Sequence, residues 1–333
     1  MNIELSEVMN EKGKMINWAK NVVNKKQLSE EEVAISEAVN KFAEDIANTG
    51  ATDRALSEYL IRIVEEEVYN EPSELLDIMF NQGEIGEFDD YLSVGTYKNN
   101  LMAYESSIRG GSVDKSYVDF KKSEMKNIAL QIETEIRYDD LRRNGALTIA
   151  QLTLYAVESM QNKKFKAIFE YINSLLTSSD PNVFDATGGL TVQAMDDFAG
   201  YVEDYTTGVN DSSLIVGLTS TLRGVKNMAN YDKYLSDNMK EELNMGSNIL
   251  NYYGGVKLAS IKTGKKLADG SPLLPEKTMY GFSGKIGKCD TRGELRVLQT
   301  PNNGKEVLGI KFTGYEFVFS VDYKEKISKL TIA

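Results

Sequence analysis

Histidine is absent from all 333 positions, and Cys289 is the single cysteine. Those two facts remove serine and cysteine hydrolases with a histidine base, histidine-ligated zinc and iron, and thiolate-held zinc or iron–sulfur clusters within one chain. Carboxylate chemistry, a lysine nucleophile or base, and an oxygen-ligated metal stay open. Adjacent carboxylates that could do acid–base work are Asp89-Asp90, Asp139-Asp140 and Asp196-Asp197, but such pairs in an acidic chain are ordinarily just solvated. The run from Gly281 to Lys288 invites a phosphate-loop reading. Five residues separate Gly281 from Gly287, where that motif needs four, and Cys289 stands where Ser or Thr would hold magnesium. A glycine-rich turn between strands is the better reading. With no histidine to activate it, Cys289 is expected to be a small, semi-buried filler. No catalytic residue, cofactor or metal is singled out, and an enzyme is less expected for it, although enzymes without histidine exist.

The cations whose spacing carries information are Lys98, Arg109, Lys115, Lys121, Lys122 and Lys126. They are strung along a segment that reads as a long β-ribbon. Its return arm alternates: Ile128, Leu130, Ile132, Ile136 and Tyr138 share one face, with Gln131, Glu133, Glu135 and Arg137 on the other. Leu101 to Ile108 and Val113 to Phe120 flank Arg109-Gly110-Gly111-Ser112, a sequence suited to a tight turn. Each arm would reach about 40 Å if extended. Little in these arms could form a private core, and a lone two-stranded ribbon is marginal in water. Such a ribbon is expected to be held by another copy of the chain. Its six cations then either solubilise an edge or bridge to carboxylates of a neighbouring subunit, which makes them candidates for inter-subunit contact.

The net charge of −12 is unevenly spread. Residues 28–90 carry 18 Asp/Glu against 3 Lys/Arg, whereas residues 1–27 stand at +2 and residues 91–333 at +1. A solvated helical face accounts for this; an acidic surface that docks on a neighbour's basic loops is the functional alternative. Either way, residues 28–90 are unsuited to gripping DNA phosphates. At 41% apolar content the chain can bury a substantial core in one or two domains. One cysteine allows no intrachain disulfide and fits a reducing compartment. No stretch approaches the roughly 18 to 20 apolar residues of a membrane span, and Met1-Asn2-Ile3-Glu4-Leu5 lacks a secretory layout. A soluble, cytoplasmically made protein is expected.

The elements that must position these residues are legible in outline. Ser29 and Glu32 form a capping-box signature, after which Val33, Ala38, Val39, Phe42 and Ile46 keep helical spacing as far as Asn48-Thr49-Gly50. Asp53 can cap a second helix, and Pro72 to Phe80 suggests a short third. Thr148 and Gln151 predict the start of a helix running to about Leu176, roughly 43 Å long. Its stripe would be Leu152, Tyr155, Ala156 and Met160, continued by Phe165, Ile168, Phe169, Ile172 and Leu175. Ser178 to Pro181 ends it. Thr191 can cap a helix carrying Met195, Phe198 and Val202. Ser213 to Leu218 reads as an apolar strand, Ser220 to Met228 and Leu235 to Leu243 as helices, Gly255 to Ile261 as a strand, and Lys262 to Lys277 as a loop. Three further strands are expected at Gly293 to Leu298, Val307 to Phe312 and Tyr315 to Tyr323, the last two joined through Thr313-Gly314.

This order of elements, over roughly residues 70–333, resembles a tailed-bacteriophage major capsid protein of the Hong Kong 97 type, a fold also used by encapsulin shells. Lys122 to Ile132 looks like the return arm of the family's extended loop. Thr148 to Leu176 looks like its spine helix, and Thr191 to Met228 with Asn251 to Leu258 is similar to its axial domain. The resemblance implies an α+β, Hong Kong 97-like capsid fold. Its parts would be a helical N-terminal arm (1–70), a peripheral domain (71–97 and 127–184, with the spine helix at 148–176) and an extended β-hairpin loop (98–126). An axial domain (185–312) and C-terminal strands returning to the core (313–333) would complete it. It implies self-assembly, through hexamers and pentamers, into an icosahedral shell enclosing double-stranded phage DNA. Non-specific contact with that DNA, portal, decoration or scaffolding partners, and no membrane, follow from the same likeness. So does a place in the virion after synthesis in a bacterial host's cytoplasm. An encapsulin-like nanocompartment and a histidine-free enzyme are the alternatives. Some members remove a long N-terminal scaffold; the short region here favours an uncleaved arm. Some crosslink a loop lysine to a neighbour's asparagine. Lys98, Lys115 or Lys121 with Asn302 or Asn303 would serve, but nothing singles out a pair.

Overall fold

The computed structural model describes residues 14–49, 60, 74–86, 95–99, 118–122, 125–206, 212–228, 250–302 and 304–332. Its N-terminal helices are α1 (Lys14–Val23) and α2 (Glu30–Thr49). The expected capping box starts α2: Ser29 N–H donates to Glu32 Oε2 at 2.8 Å and Glu32 N–H donates to Ser29 Oγ at 3.2 Å. The Ser29 amide, helped by the Asn21 side chain at 2.7 Å, holds the Glu32 carboxyl below its usual range. The buried stripe of α2 is Ile35, Val39, Ala43, Ile46 and Ala47. Val33, expected in that stripe, is 44% exposed. Trp18 of α1 is fully buried and donates Nε1–H to Ser36 Oγ at 2.9 Å. Of the helix expected from Asp53, only Leu60, helical and buried, is described; the rest, like the helix expected at Leu235 to Leu243, lies outside the described residues. The short third helix is present as α3 (Glu74–Met79).

The long helix, α4 (Tyr138–Leu175), starts ten residues before the expected Thr148 and breaks at Asn144 (φ −143°, ψ 46°). The physical reason is tertiary. Asn40 Oδ1 of α2 accepts the Ala146 N–H at 2.7 Å, restarting the helix after the break. In return, Arg142 Nη2 donates to the Ala47 carbonyl at 2.9 Å near the end of α2. Thr148 Oγ1 donates back to the Asp140 carbonyl at 3.3 Å, so the local Thr148/Gln151 signature is not a cap. The buried face carries Ile149, Thr153, Val157, Met160, Ile168, Phe169 and Ile172, whereas Tyr155, expected to pack, is 59% exposed. Beyond the helix, Asp180 accepts from Thr177 N–H (2.6 Å), Thr177 Oγ1 (2.8 Å) and Lys324 Nζ. Those donors, the Thr177 amide foremost, hold its carboxyl down at about 2.

Two larger sheets flank α4. The first contains β1 (Phe80–Ile85), β4 (Met125–Arg137), β10 (Gly287–Arg292), β11 (Arg296–Asn302) and β12 (Val307–Val321). Its centre is β12, with β4 along one side and β10 then β11 along the other; β1 lies parallel to β10. Where two strands joined by a turn were expected, β12 is one strand of 15 residues. Thr313-Gly314 is a bulge that shifts the register between Phe312 and Tyr315 while β4 continues alongside. Gly314 takes φ +87° there, so the glycine marks a kink within a strand rather than a reversal. On β4, Leu130 and Ile136 are buried while Gln131, Glu133, Glu135 and Arg137 are exposed, as the alternation predicts.

The second sheet runs β5 (Val183–Ala186), β13 (Ile327–Ile332), β9 (Thr278–Ser283), β6 (Ser213–Leu218), β8 (Val256–Ile261), β7 (Tyr252–Tyr253). Against it packs α5 (Val192–Asp204), capped by Thr191 Oγ1, which accepts Ala194 N–H at 3.2 Å. The helix expected over Ser220 to Met228 is shorter: α6 (Thr219–Leu222), then a single 3₁₀ turn at Val225–Asn227. Phe169 of α4 meets Tyr280 and Phe282 of β9 edge-on (5.3 and 6.1 Å), and Tyr171 meets Phe319 of β12 (5.1 Å). One helix therefore bolts both sheets together. Residues 185–312 contribute strands to both sheets, because β10, β11 and the first part of β12 belong with β4.

Candidate assembly surface

A third sheet stands apart from the other two. It consists of β2 (Gly95–Asn99) and β3 (Val118–Lys122), antiparallel, with Gly95 opposite Lys122 and Asn99 opposite Val118. Among the described residues neither strand joins a larger sheet. Only Ser123 and Glu124 separate β3 from β4, so the ribbon springs from the end of β4 at which Met125 pairs with Ser320. This is the stem of the hairpin read from the sequence.

The six candidate cations divide accordingly. Lys98 stands opposite Asp119 in the stem, Lys121 opposite Thr96 and Lys122 opposite Gly95. Lys126, exposed, opens β4 opposite Phe319. Arg109 and Lys115 lie outside the described residues, as does the turn at Arg109 to Ser112. The structure thus gathers four of the six at the stem and base. Of the crosslinking acceptors, Asn302 Oδ1 accepts Lys305 N–H at 3.3 Å at the end of β11, and Asn303 is not described.

Several of the groups weighed for chemistry have structural partners. Asp139 pairs with Arg142 at 3.2 Å, Asp196 accepts the Tyr253 hydroxyl at 2.7 Å, and Asp197 accepts Gln193 Nε2 at 2.8 Å; Asp89 and Asp90 are not described. The glycine run is the expected turn between β9 and β10. A Cβ at Gly281 would overlap Ser328 Oγ and Val202, and one at Gly287 would overlap the Ser320 carbonyl. Close packing, not a phosphate, explains those glycines. Cys289 is buried, and loss of solvent pushes its thiol up.

Sequence reasoning missed Lys164. It is buried within α4, and its Nζ donates to Tyr315 Oη at 3.2 Å while lying 5.7 Å from the Phe317 ring centre. Burial drives its pKa below the ordinary lysine value. Nothing in the local run Lys163-Lys164 separates it from a surface lysine; only the helix face does.

Comparison with known proteins completes the picture. Residues 5–262 match the family model described as "SPbeta prophage-derived putative capsid protein YonB". No curated protein sequence matches the chain. Among solved structures, one from Mycobacterium phage Ogopogo is similar over 78% of this chain and 91% of its own, at 14% identity and a TM-score of 0.54. The capsid of a native GTA particle is similar over 78% and 89%, at 12% identity and 0.53. A structure from Gordonia phage Cozz is similar over 77% and 84%, at 13% identity and 0.52. At such identities the likeness is one of fold, and it bears out the Hong Kong 97-type fold expected from the order of elements.

Proposed function

The chain belongs to the YonB family of prophage-derived capsid proteins, and on that premise we propose how it builds its shell. It is a major capsid protein with a structural role, and its copies associate with one another in the virion. The β2–β3 ribbon of each subunit lies over an adjacent subunit, with Lys98, Arg109, Lys115, Lys121, Lys122 and Lys126 meeting that neighbour's carboxylates. The observation that carries this reading is the two-stranded sheet outside both larger sheets. A projecting element on one side and a receiving surface on the other is what a heterologous, ring-closing contact needs, and many weak contacts suffice when every copy repeats them.

In this reading the β4–β12 sheet with α4 forms the peripheral body, and the sheet around β9 with α5 the axial body at hexamer and pentamer centres. The enclosed cargo is double-stranded DNA, held without sequence preference, and portal and decoration or scaffolding proteins complete the particle. Replacing residues 101–117 by a short Gly-Ser turn tests the ribbon. Circular dichroism of the purified protein should be nearly unchanged, and negative-stain imaging should show open rings or monomers in place of closed shells. Closed particles from that variant would mean that the ribbon is not an assembly element.

A further inference from the structure

Between α3, the middle of α4 and β8 lies a cavity of about 570 Å³. Its apolar floor includes Leu75, Ile78, Phe165, Ile261 and Leu273, and its walls carry Lys164, Lys257, Lys262 and Lys265. Among the described residues no carboxylate lines it. Lys257, Lys262 and Lys265 are exposed, and none of the three makes an ion pair among the described residues. An apolar hollow whose charged lining residues are all lysines, beside the neutral Gln82, Gln161, Asn162 and Ser260, attracts an anionic partner.

The same chain offers one. Helix α2 carries six carboxylates against a single lysine, Lys41, and Glu30, Glu37, Glu44 and Asp45 stand exposed on it. That face is not turned toward its own cavity. Asn40 holds α2 to Ala146 of α4, and 18 residues of helix, about 27 Å along the axis, separate that anchor from Lys164. The acidic face also points away from the α4 contact made by Ile35, Val39 and Ala43. We infer that the cavity ringed by Lys257, Lys262 and Lys265 is a docking site for the acidic outer face of α2 from a second copy of this chain. The inference rests on the capsid reading, which supplies the second copy.

A charge-swap series on the full chain tests it. Lys257→Glu, Lys262→Glu and Lys265→Glu together should raise the concentration needed for capsomer formation at least tenfold, read by sedimentation velocity. Glu30→Lys, Glu37→Lys and Glu44→Lys together should do the same. All six in one chain should restore assembly toward that of the unsubstituted protein, because the complementary charges have merely exchanged places. Circular dichroism confirms that each exposed set leaves the fold intact. A Lys-to-Glu set that assembles normally, or a six-site chain that stays dissociated, overturns the docking site while leaving the capsid reading standing. An unsubstituted chain that forms no assembly at all overturns both.

Discussion

Lys164 brings an ammonium group into the contact between α4 and β12 with a tyrosine hydroxyl, two aromatic rings and, among the described residues, no carboxylate in reach. A buried cation with so little compensation is costly. Its depressed pKa has a definite consequence for stability. Between that depressed value and the ordinary 10.5, the unfolded chain holds more protons than the folded one, so this residue makes stability rise with pH across that window. Below it, the full burden of the buried charge is felt. Lys164→Met fills similar volume without the charge; it should raise stability at pH 7 by about 1 kcal/mol and flatten the rise in stability as pH climbs toward 10.5 in urea titrations. A variant less stable than the unsubstituted protein at pH 7 would show that the Tyr315 and ring contacts outweigh the burial.

At the scale of elements, the crossing of α2 over the start of α4 is closely packed. A Cβ on Gly145 would overlap that of Ala43. Gly145→Ala should therefore destabilise by about 1 to 3 kcal/mol, through overpacking, despite alanine's better helix propensity. Adding Ala43→Gly should recover part of the loss, and a double-mutant cycle in denaturant measures the coupling. Simple additivity would mean that the helices move apart freely. The α2 capping box could be read from Ser29 and Glu32 because both partners lie within one helical turn. The break at Asn144 could not, because its partner, Asn40, is 106 residues from Ala146. The same distinction separates Thr191, a true cap, from Thr148, whose hydroxyl was claimed by the earlier turn.

For the whole molecule, a core made mostly of aromatic and aliphatic side chains predicts that ionic strength acts on assembly far more than on the subunit. Exposed charges are screened within about 10 Å at 0.1 M salt. Raising salt should loosen capsomers in sedimentation while leaving the subunit's thermal midpoint nearly constant; salt-indifferent particles would argue against charge-led docking of residues 28–90. Periodicity, caps and turn residues determined on their own that the chain is α+β, that β4 alternates, that α5 begins at Thr191 and that a ribbon precedes a long helix, because each depends on neighbours in sequence. Tertiary structure alone decided that β12 is one bulged strand, since β4 pairs on both sides of Gly314. It also decided that β10 to β12 share a sheet with β4, and that Lys164 is buried while Tyr155 is exposed. Long-range pairing and the choice of helix face depend on what packs opposite, and a local pattern carries no record of that.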